Sequence, residues 1–444
     1  MGQRLQEPVQ RRLGKARDGQ DLGKADGAAE GGDQVQHGQR LVLAMLLATT
    51  APAFAQSRVL VFNTDASDPA PKAAFDQLIA DFEAEYPEID VQVNTFDHEG
   101  YKTAIRNFMT ADAPDLANWY AGNRMGPFVE AGQFMDVSDI WAENNLTETL
   151  GSALSSMTID GKQWGIPYTY YQWGIYTNKD VYAQVGVEPA ATWDEFIANC
   201  EKFKAAGIDC LTTGSKALWP VAGLFDYLSL RTNGYDWHMQ LTNGEIPWTD
   251  DSVRAVFAEF AKVLPYVSAN HAAIDWQDAV SNLVQGKAAN YVMGNFAVAA
   301  FKDGGMTDET LGFMPFPTIN PDIPRAEEAP TDTVHIPAAA KNPEDAKLFL
   351  AFMARPDVQT KMNATLGQLP INAESSVGDD PFLQAGFELL STAEGGIAQF
   401  FDRDAPPEMA KAGMEGFQEF MVRPERLDAI LERLERQRER VYAQ

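Results

Sequence analysis

The stretch Asp160-Gly-Lys-Gln-Trp-Gly-Ile-Pro-Tyr168, continued by Thr169-Tyr-Tyr-Gln-Trp173 and by Tyr176-Thr-Asn-Lys-Asp180, places a turn, an aromatic cluster and a strand in immediate succession. Asp-Gly is a turn dipeptide, and the residues after it are rich in the aromatic and β-branched types that suit a buried strand. Thr192-Trp-Asp-Glu-Phe196 follows closely.

Working outward, the chain has 444 residues, 45% hydrophobic and 22% charged. That is an ordinary globular composition, too long for one core, and it predicts two lobes of roughly 150 to 200 residues each. No run of about 18 apolar residues predicts a membrane-spanning helix in the mature chain. Near the N-terminus, Arg40 precedes the apolar run Leu41–Ala48, and Pro52-Ala-Phe-Ala55 ends in an A-x-A pattern. This reads as a signal peptide cleaved after Ala55. Residues 1–38 are rich in Gly, Gln, Arg and Asp without hydrophobic period, which predicts a translation start downstream of Met1, with a disordered extension as the alternative.

No Cys follows the expected cleavage site, so no lipid anchor is indicated. Cys200 and Cys210 form an even pair in a chain expected to be exported, which favours a disulfide, with free buried thiols as the alternative. Removing residues 1–55 takes away seven Lys/Arg and six Asp/Glu, leaving 28 against 57 and a net charge of −29. Such a chain repels nucleic acid and anionic lipid.

Val59-Leu-Val-Phe62 reads as a buried strand, Phe75, Leu78, Ile79 and Phe82 as one helix face, and Asp90-Val-Gln-Val-Asn94 as a second strand. This β-α-β opening predicts a parallel pair. A helix near 101–109 and a third strand over Ala113-Pro-Asp-Leu-Ala-Asn-Trp119 follow. Ligands of open sheets gather beyond the carboxyl ends of the strands, which nominates Asp65 to Ser67, Asp97 and His98, and Trp119 to Arg124. A helix from about Asp194 to Ala206, stopped by Gly207, and a strand from Ile208 to Leu211 are expected next. No HExxH, GxSxG, P-loop or GxGxxG occurs, and the five His show no recognisable spacing.

Taken in order, DGKxxGIPY, YxNKD and TWDEF resemble the extracellular solute-binding proteins of bacterial ABC importers, the carbohydrate-binding group that includes the maltodextrin-binding proteins. The resemblance extends to Phe128-Val-Glu-Ala-Gly-Gln-Phe-Met-Asp136, Leu283-Val-Gln-Gly-Lys-Ala-Ala289 with Met293-Gly-Asn-Phe296, and Lys341–Leu350 with Gly367-Gln-Leu-Pro-Ile371. It implies an α/β, two-lobed periplasmic-binding-protein fold of type II, each lobe a mixed sheet flanked by helices, joined by a three-segment hinge. Lobe one would comprise 57–167 and 335–374, lobe two 168–331 and 375–444, with crossings near 168–173, 331–336 and 373–379. It further implies a soluble periplasmic receptor, monomeric, without cofactor, metal or catalytic residues, that delivers a sugar, glycoside or short oligosaccharide to membrane permease subunits.

Sugars are bound by aromatic faces against their C–H faces and by carboxylates, amides and Arg on their hydroxyls. The residues so implied are Asp65, Ser67, His98, Trp119, Asn123, Arg124, Tyr171, Trp219, Trp276, Asn295, Phe296, Asp332 and Arg403. Trp119 stands at the spacing where maltodextrin-binding relatives place a sugar-contacting Trp. Asn123-Arg124 stands, one residue late, where they carry Asp-Arg. Tyr171 falls where that group carries a ligand-contacting Glu. Trp141, Trp164, Trp193 and Trp248 are assigned to packing. An Arg-bearing pocket also admits an anionic or modified sugar or a polyol. Tandem Tyr170 and Tyr171 with His98 admit a ferric-ion receptor, and paired carboxylates admit a polysaccharide-acting enzyme.

Overall fold

In a computed structural model the described residues are 58–443; the expected leader and the cleavage at Ala55 lie outside them. Two mixed sheets organise these residues. The first is ordered β2-β1-β3-β12-β6, with β1 (Arg58–Thr64) parallel to β2 (Ile89–Thr95) and β3 (Leu116–Tyr120). On the other side of β3, β12 (Thr331–His335) runs antiparallel to both β3 and β6 (Ile166–Tyr170). Between β3 and β6 the chain makes a run of short helices over 122–157 and then a short hairpin, β4 (Thr158–Ile159) with β5 (Lys162–Gln163), formed at the Asp160-Gly161 turn. The second sheet is ordered β10-β7-β9-β8: β7 (Trp173–Asn178) is antiparallel to β9 (Ala288–Gly294) and β10 (Leu311–Met314), and β8 (Asp209–Thr212) is parallel to β9. A two-stranded piece, β11 (Ala326–Glu328) with β13 (Gly396–Ala398), stands apart.

The β-α-β opening forms as its pattern requires. The helix Pro69–Glu85 starts with Pro in its first turn and turns Phe75, Leu78, Ile79 and Phe82 into the first core, where Phe82 meets Phe349 at 5.0 Å between ring centroids. Buried Asp115 accepts hydrogen bonds from the backbone N–H groups of Val61, Lys341 and Asn342, tying β1 to the entry of helix Pro343–Met353. In the second core the helix Trp193–Ala205 carries a reciprocal cap between Thr192 and Glu195. Phe225 stacks on Phe417 at 4.0 Å beside fully buried Trp248. Losing one such ring costs roughly 3–5 kcal/mol. Cys200, on that helix, is bonded to Cys210 on β8, their Cα atoms 4.8 Å apart.

The fold is thus two-lobed, with a separate core on each sheet. Among the described residues the chain passes between the sheets at Tyr171–Gln172, at Ala329–Pro330 and between 367 and 380. Two expected boundaries need correction. The one at 167/168 falls inside β6, which continues to Tyr170 because Tyr170 pairs with Thr331. The crossing placed at 331–336 is itself β12, held in the first sheet by pairing on both edges, so the passage precedes it.

Candidate functional site

A cavity of about 600 Å³ lies where the carboxyl ends of β1, β2 and β3 face the second sheet. The first lobe contributes Asp65 and Ser67 after β1, His98 at the start of helix His98–Ala111, and Asn118, Trp119 and Tyr120 of β3. That helix begins there because the Asp97 side chain accepts from the Gly100 N–H at 2.9 Å. The second lobe contributes Trp173 at the start of β7, Phe296 just past β9, Trp219 and Trp276 each opening a helix, and Phe400, Asp402 and Arg403 at the short helix Phe401–Asp404. Tyr171 lies on the passage between them.

The aromatic wall is built around Phe296. Tyr171 and Trp276 meet it edge-on at 5.3 and 5.4 Å, with Trp219 at 6.0 Å. Phe296, Trp219 and Trp276 are half-buried, leaving ring faces for an apolar ligand surface. The polar wall is extensively paired. His98 Nδ1 lies 2.9 Å from Asp65, and Lys102 lies 3.1 Å from Glu99. Burial pushes the Asp65 carboxyl up, but the hydrogen bond and charge of His98, with Lys102, outweigh it and hold it below the usual carboxylate range. Arg403 donates to Asp332 and to the Tyr171 hydroxyl, both at 2.9 Å, with its guanidinium 4.1 Å from the Tyr120 ring centroid. Burial dominates at Asp332 and Tyr171, raising both above their ordinary values despite Arg403. Across the mouth, the Trp219 indole N–H donates to Glu99 at 3.1 Å, joining the two lobes.

Ten of the thirteen residues expected at a ligand site line this cavity: Asp65, Ser67, His98, Trp119, Tyr171, Trp219, Trp276, Phe296, Asp332 and Arg403. Trp119 does so as wall rather than platform, being 5% exposed with its indole N–H given to the Arg124 carbonyl at 2.9 Å. Asn123, Arg124 and Asn295 do not line it. Asn123 and Arg124 sit on a 3₁₀ turn that faces the lobe interface, donating to the carbonyls of Asp404 (2.6 Å) and Asp402 (2.8 Å). Asn295 is consumed by the Tyr176 hydroxyl and the Gly367 carbonyl. Adjacent Tyr170 and Tyr171 part ways, Tyr171 into this cavity and Tyr170 into a separate one of about 360 Å³, so they do not converge as a metal-binding pair. Trp141, Trp193 and Trp248 are fully buried packing residues, and Trp164 is partly buried.

The segment Tyr168–Trp173, read from the sequence as hinge and cleft floor, supplies Tyr168, Tyr171 and Trp173 to the lining, though only Tyr171 was singled out as a ligand residue; Asn118, Lys102 and Gln368 were missed. Lys102 follows His98 by four residues, which puts both on one helix face, and Trp173 follows Tyr171 by two; those spacings were the available signal.

Two mixed α/β lobes enclosing a cleft of aromatic faces and hydrogen-bonding side chains define a solute-receptor architecture. Residues 65–360 match the bacterial extracellular solute-binding protein family, and the chain belongs to it. An uncharacterised ABC transporter extracellular-binding protein of Pyrococcus horikoshii is 28% identical over 333 residues, 73% of this chain and 74% of that one. The melibiose/raffinose/stachyose-binding protein of Bacillus subtilis is 22% identical over 361 residues, 79% of this chain and 81% of its own. Among solved structures, the bacterial solute receptor AcbH, described as having an exclusive preference for β-D-galactopyranose, superposes with a TM-score of 0.81 at 29% identity, covering 87% of this chain and all of that one.

Proposed function

We propose that the protein is the extracellular receptor of an ABC importer and captures an uncharged sugar, glycoside or short oligosaccharide in the cavity between its lobes. One observation carries the reading: half-buried aromatic faces on the second lobe stand opposite a hydrogen-bonding wall of carboxylate, imidazole, amide and hydroxyl groups on the first. That is the division of labour a pyranose demands, with apolar C–H faces on one side and hydroxyls on the other. The sugar preferences of the Bacillus relative and of AcbH agree with it.

Charge selects among sugars. Asp65, Asp68, Asp97, Glu99, Asp275, Asp332 and Asp402 line the cavity against three fixed cations, Lys102, Lys216 and Arg403. An excess of carboxylates disfavours a sugar acid or a phosphorylated glycoside. In this reading residues 58–170 and 331–366 make lobe one, 173–328 and 381–443 lobe two, and the passages between them flex as the lobes close on ligand. Only the closed, liganded form then presents the joint surface that the membrane permease subunits read. No catalytic step is assigned to the site. Its place is outside the cytoplasmic membrane, in the periplasm.

The test is thermal unfolding with D-galactose, D-glucose, melibiose, raffinose, D-galacturonate and ferric ion. A neutral sugar at a hundred times its dissociation constant adds about 2.7 kcal/mol of stability. Stabilisation by galacturonate alone would refute the charge argument, and no response to any neutral sugar would refute the carbohydrate reading.

A further inference from the structure

Many polar side chains in the cavity wall already have a protein partner: Asp65 with His98, Arg403 with Asp332 and Tyr171, Lys216 with Asp275, Glu99 with Lys102 and Trp219. Two lining side chains carry a buried polar atom that has none. The indole Nε1 of Trp173 has no hydrogen-bond partner although the residue is 0% exposed, and one end of the Asn118 amide has none although Asn118 is 2% exposed. Whichever way that amide is turned, one end meets the Tyr168 hydroxyl at 3.3 Å and the other is free.

An orphan indole N–H alone means little here, since Trp193 and Trp248 also have one, deep in the second core. Trp173 differs in lining the cavity, and Asn118 lines it from the opposite sheet. The chain makes room for the indole edge: a Cβ on Gly294, the residue paired with Trp173, would lie 2.6 Å from Nε1. Phe at 173 would fill an apolar wall without a buried donor, and Leu at 118 would do so without a buried amide.

We propose that Trp173 Nε1 and the free end of the Asn118 amide are the anchors for the ligand's hydroxyls at the floor of the cavity. A pyranose hydroxyl accepts from the indole, and a neighbouring hydroxyl completes the amide. Because Asn118 belongs to β3 of the first sheet and Trp173 to β7 of the second, one sugar ring then ties the lobes together with two hydrogen bonds that neither lobe supplies alone. Neither group titrates, so this part of the affinity is independent of pH.

The inference rests on the carbohydrate reading. The test takes whichever of D-galactose, D-glucose, melibiose and raffinose binds the wild-type protein, measured by calorimetry. Trp173→Phe and Asn118→Leu should each weaken binding about fivefold or more, the worth of one neutral hydrogen bond. In ¹⁵N-indole-labelled wild-type protein, the resonance that disappears in Trp173→Phe or Trp173→Tyr should move downfield on adding the sugar, a readout that does not depend on how well the variants pack. Binding within twofold of wild type with an unmoved resonance overturns the inference and leaves the carbohydrate reading standing. Weakened binding with an unmoved resonance also overturns it, because the loss would then be packing. If none of the four sugars binds the wild-type protein, the carbohydrate reading falls and this inference with it.

Discussion

Asp404 ends the short helix Phe401–Asp404 at the lobe interface and is 7% exposed. Its carboxyl lies against the first lobe's turn so closely that a Cβ on Gly122, itself at φ +72°, would stand 2.6 Å from Oδ1. Burial pushes its pKa from 3.8 up to about 6, with Asp402 adding to the rise, against the Asn123 backbone hydrogen bond and Arg403 pulling it down. The folded protein therefore holds a proton between about pH 4 and 6 that the unfolded chain has released. The stabilisation this gives is fully present below about pH 4 and is lost as the pH rises through 6. A rise of about two units at about 1.36 kcal/mol each makes the difference roughly 3 kcal/mol. Asp404→Asn keeps an acceptor for the Asn123 N–H and removes the titration. In urea unfolding from pH 4 to pH 8, the variant should gain on the wild type by up to about 3 kcal/mol between pH 4 and 7 and hold that margin above. The slope is the test, because a change in packing would shift both ends equally. A stability difference that stays constant across the range refutes the argument.

Arg403→Met leaves Asp332 inside the interface without its cation and the Tyr171 hydroxyl without its donor. Urea unfolding at pH 8 should show a loss of roughly 3–5 kcal/mol, shrinking toward pH 5 as the stranded carboxyl takes up a proton. Cys200→Ala with Cys210→Ala opens a loop closed over a sequence separation of 10. It should cost about 2–3 kcal/mol in the same assay, while reduction of the wild type by dithiothreitol should give a matching loss.

Much of the first lobe was legible because its signals are local. The strand, the helix stripe at Phe75 to Phe82 and the second strand carry their own periods, and β1 pairs with β2 in parallel as that order requires. The helix expected from about Asp194 and the strand after it were equally readable from the stop at Gly207, while the Thr192–Glu195 cap that starts the helix at Trp193 emerged only in the structure. The second passage was misplaced for the opposite reason. Thr331–His335 became a strand of the first sheet through partners on β3 and β6 more than 150 residues earlier, pairings that leave no trace in five residues. Asn123, Arg124 and Asn295 fall outside the cavity lining because each meets a backbone carbonyl across the interface. Trp173 was legible only as part of the Tyr168–Trp173 cleft floor, and Asn118 read as an ordinary strand position; only the two sheets meeting around them separate them from core.

The same interface bears on how such a receptor stays responsive. The helix Phe401–Asp404 ends in carbonyls that a helix cannot satisfy internally, and the Asp402 and Asp404 carbonyls take Arg124 and Asn123 from the other lobe. On opening, those carbonyls and donors would exchange one another for water, a trade worth only about 0.5–1.5 kcal/mol per bond. Arg403 and Asp332 are different, since parting them moves both charges into solvent that hydrates them well, and the attraction lost is offset by desolvation regained. Neither kind of contact therefore holds the lobes shut by a wide margin. The groups that would gain most from closure on a ligand are those in the cavity wall that neither lobe pairs, the Trp173 indole and the Asn118 amide. On the proposed reading, closure would be decided at the floor of the cleft, by whether something in it can satisfy one donor and one amide end at the same time.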